Sequence, residues 1–319
     1  MDELTGGHLP SAIRHLPEAA GILNLYKPCG PTSHDAVARV RRLFHQRRVG
    51  HAGTLDPLAQ GVLLVCLGAA TRVSEYLMAS SKTYLAEVTL GATSTTDDAE
   101  GEITPGGPIP SCAAVVAALA DLIGERDQVP PRYAAVKRAG VALYRRARRG
   151  EVVIPAPRRV HIAAIELVSW QPPQVGLLIT CGPGTYIRAL ARDLGAALGC
   201  GGYLSGLVRL RSGRFTAAEA ISFEELEVAI AEGFAADLLY PPDVALLDRE
   251  AVILGSDSVA RLQQGRSVPA TGQPAGPPPY RAYSASGELV ALLSHVRGAD
   301  PGQTMWQPRR VFMLSLIHI

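Results

Sequence analysis

Gly50-His51-Ala52-Gly53-Thr54-Leu55-Asp56-Pro57-Leu58-Ala59-Gln60-Gly61-Val62-Leu63 is the stretch on which the reading of this chain turns. Its glycines suggest a phosphate-cradling loop. The Gly-Lys-Ser/Thr ending that would hold phosphates and magnesium is missing, which argues against a nucleotide triphosphatase. Asp56 precedes Pro57, so its backbone is biased away from the helical region and its carboxylate is held on an extended or turn segment. The apolar run over 62–67 then reads as a strand or the start of a helix.

Upstream, residues 21–27 read as a short buried strand stopped by Pro28, with a turn at Gly30-Pro31. Thr32 and Asp35 form a candidate capping pair for a helix whose Val37, Val40 and Phe44 share one face. Downstream, residues 82–90 alternate as a half-buried strand should, with Tyr84, Ala86, Val88 and Leu90 on one side. Helices are expected over 115–123 and 185–198, the latter carrying Arg188 and Arg192 one turn apart, and strands over 161–170 and 175–181. Pro241-Pro242 marks the approach to a boundary near 247. After it come a short helix at 256–264 and a hairpin around the turn at 284–287.

Hydrophobic residues make up 47% of the 319 and aromatics only 5%. The core must therefore be built mainly from Ala, Val, Leu and Ile. The longest apolar stretch is far short of the roughly 20 residues that cross a bilayer, and the first residues do not form a secretory signal, so a cytoplasmic protein is expected. Cys29, Cys66, Cys112, Cys181 and Cys200 are too widely spaced for a zinc knuckle or a disulfide framework, and no metal is expected.

The net charge of +2 conceals segregation. Residues 27–60 carry six cations against two carboxylates, and 132–160 nine against one, whereas 219–248 hold eight acids and no Lys or Arg. A nucleic-acid-facing side and an acidic side are implied.

The fourteen residues quoted first resemble the catalytic motif of the TruB family of tRNA pseudouridine-55 synthases. Other blocks agree in order: Lys27-Pro28 with Gly30 and Thr32-Ser33, Lys82-Thr83-Tyr84 leading to Leu90-Gly91, Gly184-Thr185-Tyr186-Ile187-Arg188 before Asp193-Leu194-Gly195, and Leu207 through Gly213. The resemblance implies an α+β fold with a central mixed, largely antiparallel sheet and flanking helices, plus a small C-terminal β-rich PUA-like module. The implied division is an N-terminal extension (1–20), a catalytic domain (21–246) with a basic RNA-gripping insertion (130–159), an RNA-binding module (247–314) and a probable non-native tail (315–319).

By the same resemblance the chain isomerises uridine 55 in the T-loop of tRNA without a cofactor, and no obligatory protein partner is expected. Asp56 is implied as the catalytic carboxylate and Arg188 as its charge partner. Tyr84 would stack on the flipped base and offer its hydroxyl for a proton transfer. Tyr186 and Leu207 would line the pocket, and His51 would fill the space the base leaves. A guide-RNA-dependent enzyme of the dyskerin type and a non-catalytic RNA-binding or tRNA-folding protein are the competing readings. The insertion favours a stand-alone enzyme that grips a T-arm stem-loop, and Asp56 weighs against a non-catalytic role.

Overall fold

The protein's structure, a computed structural model, describes residues 19–131, 155–270, 272, 276–298 and 302–312, with the backbone of a two-residue strand pair at 137–138 and 141–142. Most of the 1–20 extension, most of the 130–159 insertion and the 315–319 tail lie outside the described residues.

The first strand, β1 (Gly21–Lys27), is buried on both faces, as its apolar run requires. Helix α1 (Ser33–Leu43) follows. Thr32 caps it by accepting from the Asp35 N–H, and the Asp35 carboxylate accepts from the Thr32 N–H in return. Val37, Val40 and Phe44 are buried as their spacing predicts. The short β2 (Val49–His51) leads through the Asp56 loop into β3 (Ala59–Leu67), which is buried almost throughout and so lies in the middle of a sheet.

Helix α2 (Ser74–Ala79) and β4 (Lys82–Leu90) come next. Then α3 (Cys112–Ala120), β5 (Gly124–Gln128), β6 (Arg158–Gln171) and β7 (Gln174–Cys181) follow in order. Helix α4 (Ile187–Ala197), β8 (Gly202–Ser212), β9 (Phe215–Thr216), α5 (Phe223–Glu232) and β10 (Leu239–Tyr240) complete the larger unit.

Ten strands form one sheet in the order β10-β1-β3-β8-β4-β7-β6-β5, with β2 on β3 and β9 on β8. Within it only β3 and β8 run parallel, Leu207 opposite Ala59 and Arg209 opposite Gly61. That contact explains Gly61. Its φ is +99°, and a Cβ there would lie 2.3 Å from the Arg209 carbonyl oxygen. Helix α4 packs on the start of β8 through Gly195, where a Cβ would lie 2.1 Å from the Gly202 nitrogen.

One face of the sheet packs against α1, α3, α4 and α5 around Val37, Val40, Val115, Leu119, Leu190, Leu194 and Leu226. The other face, through Val62, Leu64 and Cys66, packs against Val73 and Leu77.

The second unit is a five-stranded sheet of β11 (Ala251–Leu254), β12 (Val268–Pro269), β13 (Tyr280–Ser284), β14 (Leu289–Arg297) and β15 (Thr304–Val311), with α6 (Ser256–Gln263) against it. The strand order is β11-β13-β14-β15-β12. Its core is built on Leu254, Leu262, Val268, Tyr280 and Trp306. Leu292 of β14 turns instead to the larger unit and joins the cluster of Val62 and Leu64. The architecture is α+β, a large mixed sheet followed by a small β module. Among the described residues no helix is long and apolar enough to cross a membrane.

Three sequence expectations shift. The helix expected over 115–123 begins earlier, at Cys112, because Ser111 caps it by accepting from the Ala114 N–H. The helix expected from 185 starts at Ile187 and leaves Tyr186 outside it in an extended conformation. Strand β8 had no counterpart in the sequence reading. Two bulges interrupt its alternation, and a buried arginine occupies an inward position where an apolar residue would announce a strand.

Candidate active site

A cleft of about 310 Å³ opens where the 53–56 loop meets the start of β4, the turn after β7, the start of α4 and the middle of β8. Asp56, Tyr84, Tyr186, Arg188 and Leu207 all line it, so five of the six residues singled out by sequence converge. His51 is the exception. It ends β2 outside the cleft lining, edge to face with His34 at 5.5 Å. Burial, then the charges of His34 and Arg209, hold its pKa below the usual histidine value. A larger cleft of about 380 Å³, between α2 and residues 244–249, is lined by none of the six.

Arg188 is the centre of the charge arrangement. Its Nε lies 2.9 Å from Asp56 Oδ2 and its Nη1 3.2 Å from Asp98 Oδ2. Nη1 also donates to the Thr96 carbonyl at 3.2 Å. The Nε–H is not aimed at the Asp56 oxygen, so this pair is a charge contact rather than an aligned hydrogen bond.

The Asp56 side chain keeps 38% of its surface open to the cleft. The surrounding walls nevertheless raise its pKa; Arg188 opposes that rise, Asp98 adds to it and Lys27 opposes it. The opening makes the rise an effect of the walls and not of complete burial.

The loop that carries Asp56 is fixed from three sides. Ser33, at the start of α1, accepts from the Leu55 N–H at 2.8 Å and donates to the Leu55 carbonyl at 2.9 Å. The Gly30 N–H donates to the Pro57 carbonyl. Arg209 donates from Nε to the Val62 carbonyl at 2.6 Å, from Nη1 to Thr54 at 3.3 Å and from Nη2 to Gly53 at 3.1 Å. Lys27, read from sequence as support beneath the loop, donates to the Pro28 and Pro31 carbonyls and holds the turn that precedes α1.

Residues 41–187 match the TruB family pseudouridylate synthase (N terminal domain), and residues 188–247 match the tRNA pseudouridylate synthase B C-terminal domain. The tRNA pseudouridine synthase B of Dehalococcoides mccartyi is 43% identical over 300 residues, covering 92% of this chain and 96% of the relative. The chain belongs to the TruB family of tRNA pseudouridine synthases. It is an isomerase.

The tRNA pseudouridine synthase B of Thiobacillus denitrificans is 41% identical over 292 residues, covering 91% of this chain and 95% of that one. Among solved structures, a chain of a Cbf5–Nop10–Gar1 complex superposes with a TM-score of 0.71 at 28% identity, covering 93% of this chain and 86% of that one. A chain of an H/ACA RNP bound to a substrate RNA containing 2′-deoxyuridine gives 0.70 at 26%, covering 92% and 85%.

Several polar residues that hold the lining of this TruB-family cleft in place escaped the sequence reading. Asp98 is buried and braces Arg188, while its neighbour Asp97 takes Arg192 Nη1 at 2.8 Å. The signal was there: two adjacent acids answer two arginines spaced one helical turn apart. Gln128, also buried, holds Tyr186 from both sides. Its Oε1 accepts from the Tyr186 N–H at 2.9 Å, and its Nε2 donates to the Tyr186 carbonyl at 3.1 Å. No local pattern marks Gln128, because its partner is 58 positions away.

Proposed function

We propose that this isomerase converts uridine 55 in the T-loop of tRNA to pseudouridine, with Asp56 as the group that starts the reaction. The observation that carries the reading is the pairing of Asp56 with a braced Arg188 in one cleft with Tyr84, Tyr186 and Leu207. The reaction breaks the N1–C1′ bond, turns the uracil and rejoins it through C5. A hydrogen leaves C5 and one is gained at N1, so neither cofactor nor redox partner is required.

Asp56 either attacks C1′ or C6 or removes a sugar proton, and in each case it must be ionised. Arg188 and Lys27 favour that state against the walls of the cleft and Asp98. The target base must leave its stack to reach the carboxylate. Tyr84 and Leu207 offer it a ring and an apolar wall, Tyr186 adds a second aromatic surface held by Gln128, and His51, at the end of β2, would fill the space the base leaves in the RNA.

Residues 21–246 would form the catalytic domain and 247–314 an RNA-binding module, with the 130–159 insertion gripping the T-arm. A stand-alone enzyme is favoured over a guide-RNA-dependent one. The curated bacterial relatives reach 41–43% identity, whereas the chains in the Cbf5–Nop10–Gar1 and H/ACA structures reach only 26–28%. The test is release of the C5 hydrogen from a labelled T-arm stem-loop by the purified protein alone. Failure without added guide RNA or protein would overturn the stand-alone reading.

A further inference from the structure

Four charged side chains line the cleft: Asp56, Arg188, Lys82 and Arg209. Arg188 is paired with Asp56 and with Asp98 behind it. Lys82 and Arg209 are 6% and 1% exposed, and among the described residues neither has a carboxylate at ion-pair distance. Lys82 Nζ donates instead to the carbonyls of Leu77 at 3.2 Å, Met78 at 2.6 Å and Ser80 at 2.6 Å. The three bonds of Arg209 likewise end on carbonyls. Backbone oxygens satisfy the donors but carry no net charge, so two buried positive charges lack a carboxylate partner beside the place where a base would sit. Burying a charge without a charged partner costs desolvation that the bonds to neutral carbonyls offset only in part. The strain shows at Lys82, whose pKa is drawn down to about 8 by burial and then by the charge of Arg209, with Cys181 opposing.

The reaction supplies what the two charges lack. When the N1–C1′ bond breaks, its electron pair stays with the uracil, which is an anion spread over N1, O2 and O4 until C5 attaches to C1′. In a route through C6 addition the ring carries the charge as an enolate. In every route the bound base is neutral in the ground state and negative at the high-energy stage. Fixed cations in a partly dry cleft stabilise the second state more than the first and so lower the barrier. Resting on the assignment of Asp56 and uridine above, the geometry points to Lys82 and Arg209 as the pair that stabilises the negative charge on the detached uracil. Tying down the turns at 53–54 and 77–80 is the role they would have without it.

The experiment compares single-turnover rates of disappearance of the starting nucleoside on T-arm stem-loops carrying uridine or 5-fluorouridine, whose base is the stronger acid and needs less help as an anion. Because C5 of the latter carries fluorine and no hydrogen to release, loss of the N1–C1′ nucleoside is the readout common to both. Lys82→Met should lose about 100-fold on uridine and about fivefold less than that on 5-fluorouridine. Equal losses on both substrates would mean a purely structural role and overturn the inference. A second arm stands should Lys82→Met fail to fold. The ratio of Lys82→Arg to wild-type activity should rise about threefold or more from pH ~7 to ~9, as Lys82 loses its proton and the arginine does not. The groups facing Lys82 are Arg209 and Cys181, and the Cys181 thiol is pushed up to about 11, above that window. A flat ratio would also overturn the inference. Pseudouridine formation by Asp56→Asn would instead remove the assignment of Asp56 itself, so the two failures are distinguishable.

Discussion

At Asp56, burial by the cleft walls and the nearby Asp98 raise the carboxyl pKa, while Arg188 and Lys27 lower it, and the rise prevails. A carboxyl whose folded pKa lies above its unfolded value holds its proton more tightly when folded. Ionising it therefore costs stability as pH rises through the folded pKa. Asp56→Asn removes that cost. From sequence alone the substitution is expected to leave Arg188 unpaired, but Asp98 at 3.2 Å and the Thr96 carbonyl still hold it. Turnover should drop by at least about three orders of magnitude, roughly 4 kcal/mol of barrier, while the melting temperature stays level or rises. A folded variant still forming pseudouridine within about tenfold of wild type would sink the role of Asp56. Asp98→Asn tests the second carboxylate. Removing the anion that raises the Asp56 pKa should move the acid limb of the kcat profile to lower pH, because Asp56 then ionises earlier. A limb that stays put would show that Asp98 acts on Arg188 alone.

Among the elements, the Asp56 loop owes its shape to partners distant in sequence. Ser33 at the start of α1 satisfies both the N–H and the carbonyl of Leu55. Arg209 on β8 gathers carbonyls from both ends of the loop. Replacing Ser33 with alanine leaves a buried N–H and a buried carbonyl without that partner, and should cost about 1–3 kcal/mol in denaturant unfolding. The same variant should lose kcat more than stem-loop affinity, since the loop carries the carboxylate. Unchanged stability and rate would mean that water takes over the hydroxyl's bonds.

The molecule as a whole is joined across its two sheets. Leu292 packs in the cluster of Val62, Leu64 and Leu77, with Phe312 against it. Arg72 donates to the Val311 carbonyl, and the Tyr283 hydroxyl donates to Asp243 Oδ2 at 2.5 Å. The small C-terminal sheet is thus packed on the large sheet rather than tethered by a linker. Leu292→Ala should lower stability by about 2–5 kcal/mol and broaden or split the melting transition of the two sheets. A single unshifted transition would mean that the shared cluster contributes little.

Charge is also redistributed by folding. Arg39 of α1 pairs with Glu227 of the acidic segment at 2.7 Å and stacks over Phe223, so part of the basic face read from sequence is neutralised within the molecule. Arg145, Arg146, Arg148 and Arg149 of the insertion lie outside the described residues. Neutralising Arg145, Arg146, Arg148 and Arg149 together should flatten the salt dependence of stem-loop binding, and an unchanged slope would remove the insertion from the interface.

Local physics made much of this legible in the sequence. The capping pair at Thr32 and Asp35, the alternation along β4 and the apolar run of β1 depend on near neighbours, and each formed as its spacing predicts; the apolar run over 62–67, open between strand and helix from sequence, formed strand β3. The motif around Asp56, together with Tyr84, Arg188 and Leu207, marked the cleft because those residue types at those positions match a known family. What the sequence left open was whatever required a partner far along the chain. Strand β8 is masked by two bulges and an inward arginine whose role becomes visible only when the carbonyls of Gly53, Thr54 and Val62 arrive from the other side of the sheet. Asp98 becomes the brace of Arg188 only when a residue 90 positions later folds over it, and Lys82 becomes a buried charge without a carboxylate partner only once burial has removed its water. Backbone patterns are written in neighbouring residues. The electrostatics of the cleft are set by which distant charges folding brings together and by how much water it excludes.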